Sequence, residues 1–170
     1  MPLIKDEKVV ADGWVAVADD AALPADRPAI VSFARWKVER ETLATRNAPL
    51  GLSLKNTDPV EEIGPEIARF GVVALNFPKF SDGRAYSQAR ILRERYRFKG
   101  ELRATGQVLP DQLIHMLRVG FDAFETADAR LLQQWSKAVS AYHAFYQPIG
   151  RLRPTLRELR REGARAVAAD

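Results

Sequence analysis

Gly71-Val72-Val73-Ala74-Leu75-Asn76-Phe77 is the stretch on which the fold turns. Its apolar residues occupy both parities of the strand alternation, so a strand formed here is buried on both faces, as parallel strands are. Ser81-Asp82-Gly83 follows and leads into a helix. There Ala85, Tyr86, Ala89, Leu92 and Tyr96 recur at helical spacing, while Arg84, Gln88, Arg90, Arg93, Glu94, Arg95 and Arg97 fill the remainder. Gly100 closes the helix.

The same strand–helix unit repeats outward in both directions. Toward the C-terminus, Leu102-Arg103-Ala104-Thr105 is a strand, Pro110 to Val119 a helix stopped by Gly120, and Phe121-Asp122-Ala123-Phe124 the last strand. A closing helix carries Leu131, Leu132, Trp135, Val139 and Tyr142 on one side. Toward the N-terminus, Asp58-Pro59-Val60-Glu61 has an N-cap aspartate, a first-turn proline and a first-turn acid, with Pro65 breaking the helix they open. Before it come a strand at Leu50–Leu54, a helix from Trp36 to Thr45 and a strand at Ala29–Phe33. About five parallel strands alternating with helices predict an α/β fold with right-handed crossovers. An open sheet and a partial β/α barrel both fit, and periodicity leaves the strand order open.

Flanking this region, Asp12-Gly13 between apolar runs predicts an N-terminal hairpin, and residues 1–27 read as hairpin and linker. The α/β domain is expected over 28–146, with an arginine-rich tail over 147–170. That tail holds Arg151, Arg153, Arg157, Arg160, Arg161 and Arg165 against Glu158, Glu162 and Asp170, so it supplies most of the net charge of +4. Thr155-Leu156-Arg157-Glu158 within it matches a capping box. The 170 residues suit one domain with a hydrophobic core.

Cysteine is absent, which excludes disulfides, thiolate metal sites and redox thiols. His115 and His143 have no companions at metal-ligand spacing. No dinucleotide fingerprint, P-loop or nucleophile elbow occurs, so no cofactor is evident. No apolar run approaches a bilayer span or a signal peptide, and the expected location is the cytoplasm. Membrane and nucleic-acid partners are not expected, since the aromatic residues sit at core spacing rather than among the arginines.

Ligands of parallel α/β folds bind beyond the carboxyl ends of the strands. Three of those ends carry cations: Arg35, Lys55 with Asn56 and Thr57, and Pro78-Lys79-Phe80-Ser81-Asp82-Gly83-Arg84. If they converge, they form a basic mouth suited to a small anion. The candidate anion-binding set is Lys55, Lys79, Asp82, Gly83, Arg84, Ser87 and Arg103. The alternative is a set of ordinary solvated loop charges. Arg103, inside a strand, is either buried against Glu101 and Asp122 or in water on an edge strand. Asp111 with Gln112 opens the next helix, and Tyr86 either packs or faces the mouth.

The block from Asn76 to Arg90, continued by Leu92-Arg93-Glu94-Arg95-Tyr96, resembles a bacterial family, domain of unknown function 934. So do Gly100-Glu101-Leu102-Arg103-Ala104-Thr105-Gly106, Leu109 with Asp111-Gln112-Leu113, and Gly120-Phe121-Asp122-Ala123-Phe124. The resemblance runs from about Ala29 to about Tyr142. Members of that family are commonly labelled as oxidoreductases of sulfite reduction because they accompany sulfite reductase genes. The resemblance therefore implies a sulfur-assimilation context and a partnership with sulfite reductase, as a non-catalytic or electron-delivery accessory protein. A small-anion-binding enzyme or sensor is the alternative. No catalytic residue carries over; the matching motif positions are Lys79, Asp82, Gly83, Arg84, Tyr86, Ser87, Arg103, Asp111, Gln112 and Asp122.

Overall fold

The computed structural model describes residues 1–128, 130–140 and 159–160. In chain order its strands are β1 (Leu3–Lys5), β2 (Lys8–Val10), β3 (Val15–Ala16), β4 (Ala29–Ser32), β5 (Leu50–Leu54), β6 (Val72–Phe77), β7 (Glu101–Gly106) and β8 (Ala123–Glu125). The helices are α1 (Phe33–Val38), α2 (Arg40–Ala44), α3 (Arg84–Arg90), α4 (Leu113–Val119) and α5 (Arg130–Ser140).

All eight strands form one sheet in the order β2-β1-β8-β7-β6-β5-β4-β3. From β3 to β8 neighbours are parallel, whereas β1 lies antiparallel to both β2 and β8. The strands β4 to β8 are the five expected from periodicity. Their strictly sequential order is that of a β/α barrel, and the sheet is an open, curled half-barrel. Each right-handed crossover advances the chain in the same direction, so the helices gather on one face.

That face holds the core. Val31, Leu52, Leu54, Val73, Leu75, Phe77, Leu102, Ala104 and Phe124 pack there against Phe33, Trp36, Ala85, Ala89, Leu92, Leu113, Met116, Leu131 and Trp135. Phe77 contacts Tyr86 and Phe121 at centroid distances of 5.2 and 5.7 Å, and Phe124 meets Trp135 edge-on at 5.3 Å. The opposite face mixes small and polar residues with the apolar Leu3, Ile30 and Val72. One register row crosses it as Ser53, Ala74, Arg103, Ala123 and Lys5.

Several helix boundaries depart from expectation for local reasons. The first helix starts at Phe33, because the Ser32 hydroxyl accepts from Arg35 N at 3.0 Å and caps it there. Asp58 does not cap a helix: its carboxylate turns back to accept from Lys55 N at 2.7 Å, and two 3₁₀ segments follow, Val60–Glu62 and Gly64–Arg69. The helix after β6 continues as a π turn over Ile91–Arg95. Gly120 ends α4 at φ 97°, a left-handed conformation that costs little without a Cβ.

The N-terminal hairpin is present, but its turn lies elsewhere. Asp6 and Glu7, at φ 49° and 63°, join β1 to β2, with Lys5 paired to Lys8. Asp12-Gly13 instead lies in a strap that leaves one edge of the sheet and joins the other as β3. Flat, seven strand spacings of about 4.8 Å would separate those edges by roughly 34 Å. The five residue steps from Val10 to Val15 reach at most about 18 Å. Only a curled sheet lets the strap close that gap.

Trp14 lies across the small-residue face. A Cβ built on Gly71 would come within 2.8 Å of the Trp14 ring, and one on Gly51 within 3.4 Å. The capping box at 155–158, His143, Tyr142 and nearly all of the arginine-rich tail lie outside the described residues.

Candidate functional site

Three successive loops at the carboxyl ends of β5, β6 and β7 form the mouth, and side-chain amides tie them together. From the β5 loop, Asn56 Nδ2 donates to Asp82 at 2.6 Å. Gln88 of α3 is only 6% exposed, and its Nε2 donates to the carbonyls of Lys55 and Asp58 at 2.9 and 2.8 Å. On the other side, Gln107 Oε1 accepts from Phe80 N at 3.1 Å and Gln112 Nε2 donates to Phe80 O at 2.8 Å. The β6 loop is thus held by its neighbours from both sides. Gln88 belongs to the buried stripe of its helix, not to the solvated remainder where spacing had placed it. A polar residue among Ala85, Ala89 and Leu92 was the signal.

Asp82 is the hub of the β6 loop. Its carboxylate accepts from Arg84 Nε and Nη2 at 3.0 and 2.7 Å, and from Arg84 N at 3.2 Å. The Arg84 side-chain hydrogen bonds, then its backbone N–H, pull the Asp82 carboxyl down to about 2. Arg84 itself is 58% exposed at the side chain, and its fork is turned onto Asp82. Gly83 precedes α3 at φ −84°, and a Cβ there would meet only Tyr86 at 3.9 Å, so backbone geometry makes no special demand for glycine.

Lys55, Lys79 and Ser87 are exposed. Neither ammonium finds an acceptor among the described residues. Tyr86 is half-buried against Phe77, and burial, helped by the charge of Asp111, pushes its phenol up to about 12. The loops at this end therefore carry Lys55, Lys79, Asp82 and Gly83, and the helical segments that follow carry Arg84, Tyr86, Ser87, Asp111 and Gln112. Arg35 is not among its free cations: it pairs with Glu39 at 3.1 Å and donates to the carbonyls of Ala18 and Ala21.

Arg103 and Asp122 stand elsewhere. Arg103 lies on an inner strand, 2% exposed, in the middle of the helix-free face. It donates to Glu101 Oε1 at 3.0 and 2.8 Å and to the two Asp12 carboxylate oxygens at 2.6 and 3.1 Å. Glu101 in turn pairs with Lys5 at 3.0 Å. Burial works against the Arg103 charge, but the hydrogen bonds to Asp12 and Glu101 outweigh it, so the pKa rises above the ordinary value. Asp122 is not its partner. Just before β8, Asp122 Oδ2 accepts from Arg93 Nη2 at 2.5 Å and from Leu102 N at 2.9 Å, at the opposite end of the strands from the mouth. Asp12, 91 residues from Arg103, had no local signature that could have announced it.

Residues 51–156 match the family described as bacterial protein of unknown function (DUF934). The chain belongs to this family. The matched DUF934 region takes in all three mouth loops, Glu101 and Arg103, and leaves out the strap that carries Asp12. No curated protein and no solved structure matches the chain. Among the described residues of this DUF934 protein, no helix is long and apolar enough to cross a membrane, and no group of three or more His, Asp or Glu residues is placed to hold a metal ion.

Proposed function

We propose that this chain is an accessory protein of sulfite reduction that docks on sulfite reductase through its mouth. The observation that carries the reading is Phe80. Its ring is 56% exposed, yet its backbone N–H and C=O are both held by neighbouring loops, so the aromatic is presented without a large ordering cost. Aromatics that become buried on association anchor interfaces. Lys55 and Lys79, without acceptors among the described residues, suit a partner surface that is acidic and make the association sensitive to salt.

Co-purification with sulfite reductase at low and high salt tests the proposal. Association is expected at low salt, with Phe80→Ala weakening it by about thirtyfold, the cost of an anchor residue. No association at either salt, together with normal sulfite reduction in a deletion strain, would refute it.

The second reading, a small anion held at the same mouth, is favoured by two ammonium groups that find no acceptor among the described residues and by the Tyr86 hydroxyl, which stays protonated across the neutral range. An anion that raises the melting temperature of the wild type but not of Lys55→Gln/Lys79→Gln would support it. Equal stabilisation of both proteins would count against it.

A further inference from the structure

At the other end of the strands, the start of β5, the α1–α2 corner and the 3₁₀ segment before β6 surround a cleft. Three arginines line it, Arg40, Arg46 and Arg69, against a single carboxylate, Glu66. Trp36 and Phe70, both almost fully buried, form its base.

The three guanidinium groups are unequally engaged. Arg40 lies over the Trp36 ring at 5.0 Å and is taken up by Glu66, through Nε at 3.1 Å and through Nη2. Arg69 donates one N–H to Ala44 O at 2.5 Å, and most of its roughly five donors find no acceptor among the described residues. Arg46 is fixed in place: its Nη2 donates to the carbonyls of Pro24 and Arg27 at 2.6 and 2.7 Å. Its Nε–H is covered by protein and finds no acceptor among the described residues, so Arg46 adds positive charge to the cleft rather than an open donor.

We infer that this cleft binds a small oxyanion, held by the unused N–H groups of the exposed Arg69 beside Arg40 and Arg46. Planar guanidinium forks match carboxylate, phosphate and sulfate oxygens in pairs. Glu66 is the internal competitor: its carboxylate occupies Arg40 and repels an incoming anion. The site is separate from the mouth, and the inference stands whether or not the docking proposal holds.

The test is calorimetric titration of the full chain with phosphate, sulfate and citrate, each against chloride at matched ionic strength. Tetrahedral inorganic ions and a carboxylate are thereby distinguished as sources of the same chemistry. Saturable binding of at least one is expected, weakened about tenfold in Arg69→Ala by loss of a charge-assisted pair. Glu66→Gln should tighten the same binding, an outcome that a purely structural Arg40–Glu66 pair does not produce. Arg69 is exposed and Glu66→Gln keeps the shape of a part-exposed side chain, so both variants are expected to fold, which circular dichroism checks. Absence of binding by all three ions would overturn the inference. So would affinity unchanged by both substitutions, or affinity lost in Lys55→Gln/Lys79→Gln and kept in Arg69→Ala.

Discussion

Asp12 and Arg103 are 91 residues apart in the chain and join at 2.6 Å across the helix-free face of the half-barrel. Asp12 sits in the strap that bridges the two edges of the sheet, and Arg103 on an inner strand beneath it. The ion pair therefore latches the strap to the middle of the sheet that it spans. Glu101 and Lys5 extend the network toward β1.

Removing one end of this latch leaves a buried charge short of a partner. Asp12→Ala is expected to destabilise the fold by about 2 kcal/mol, since Glu101 still satisfies part of the guanidinium. Arg103→Ala removes the charge that both carboxylates face and should cost more, about 3 kcal/mol. Urea unfolding of the two single variants and the double variant measures this, and the double should fall well short of the sum because the residues share one network.

Acid should loosen the latch and the mouth. Burial tends to raise the Asp12 carboxyl, but the hydrogen bonds from Arg103 and Trp14 N carry it below the ordinary aspartate value. Asp82 is lowered to about 2 by Arg84. A carboxyl whose folded pKa is depressed contributes stability above its unfolded pKa of about 3.9, and that contribution is lost as pH falls through the folded value. Carboxyl carbon NMR should find Asp82 ionised at pH 3, and Arg84→Ala should return it toward the ordinary value.

Tyr86 should be the late-titrating tyrosine. Its folded pKa of about 12 lies above the unfolded value of about 10, so the folded state keeps its proton longer. The associated stability is complete below pH 10 and fades as pH rises toward 12. Absorbance at the phenolate band, compared between wild type and Tyr86→Phe, isolates this one group.

Gly106 ends β7 at the mouth with φ 86°, and a Cβ there would overlap the Phe77 carbonyl oxygen and press on Asn76. Gly106→Ala is expected to lose 2 kcal/mol or more, about half from the left-handed backbone and the rest from displaced neighbours. Gly83→Ala, with open space and ordinary φ, serves as the contrasting substitution and should change stability by less than about 0.5 kcal/mol. Thermal unfolding of the pair decides between them.

The sequence by itself determined the layered parallel architecture, the positions of β4 to β8, the helix stop at Gly120 and the exclusion of thiol chemistry. Those features are written locally: runs of apolar residues, their spacing and single glycines carry them within a few residues. It also put Lys55, Lys79, Asp82 and Arg84 on loops at strand carboxyl ends, which share one side in such a fold, and left open whether they converge. Tertiary structure alone decided that residues 15–16 join the far edge, that Asp12 rather than Asp122 meets Arg103, and that Arg40 of α2, the loop residue Arg46 and Arg69 of the 3₁₀ segment line one cleft. Each depends on how far the sheet curls and on packing between distant segments, and side-chain spacing along the chain carries no record of either.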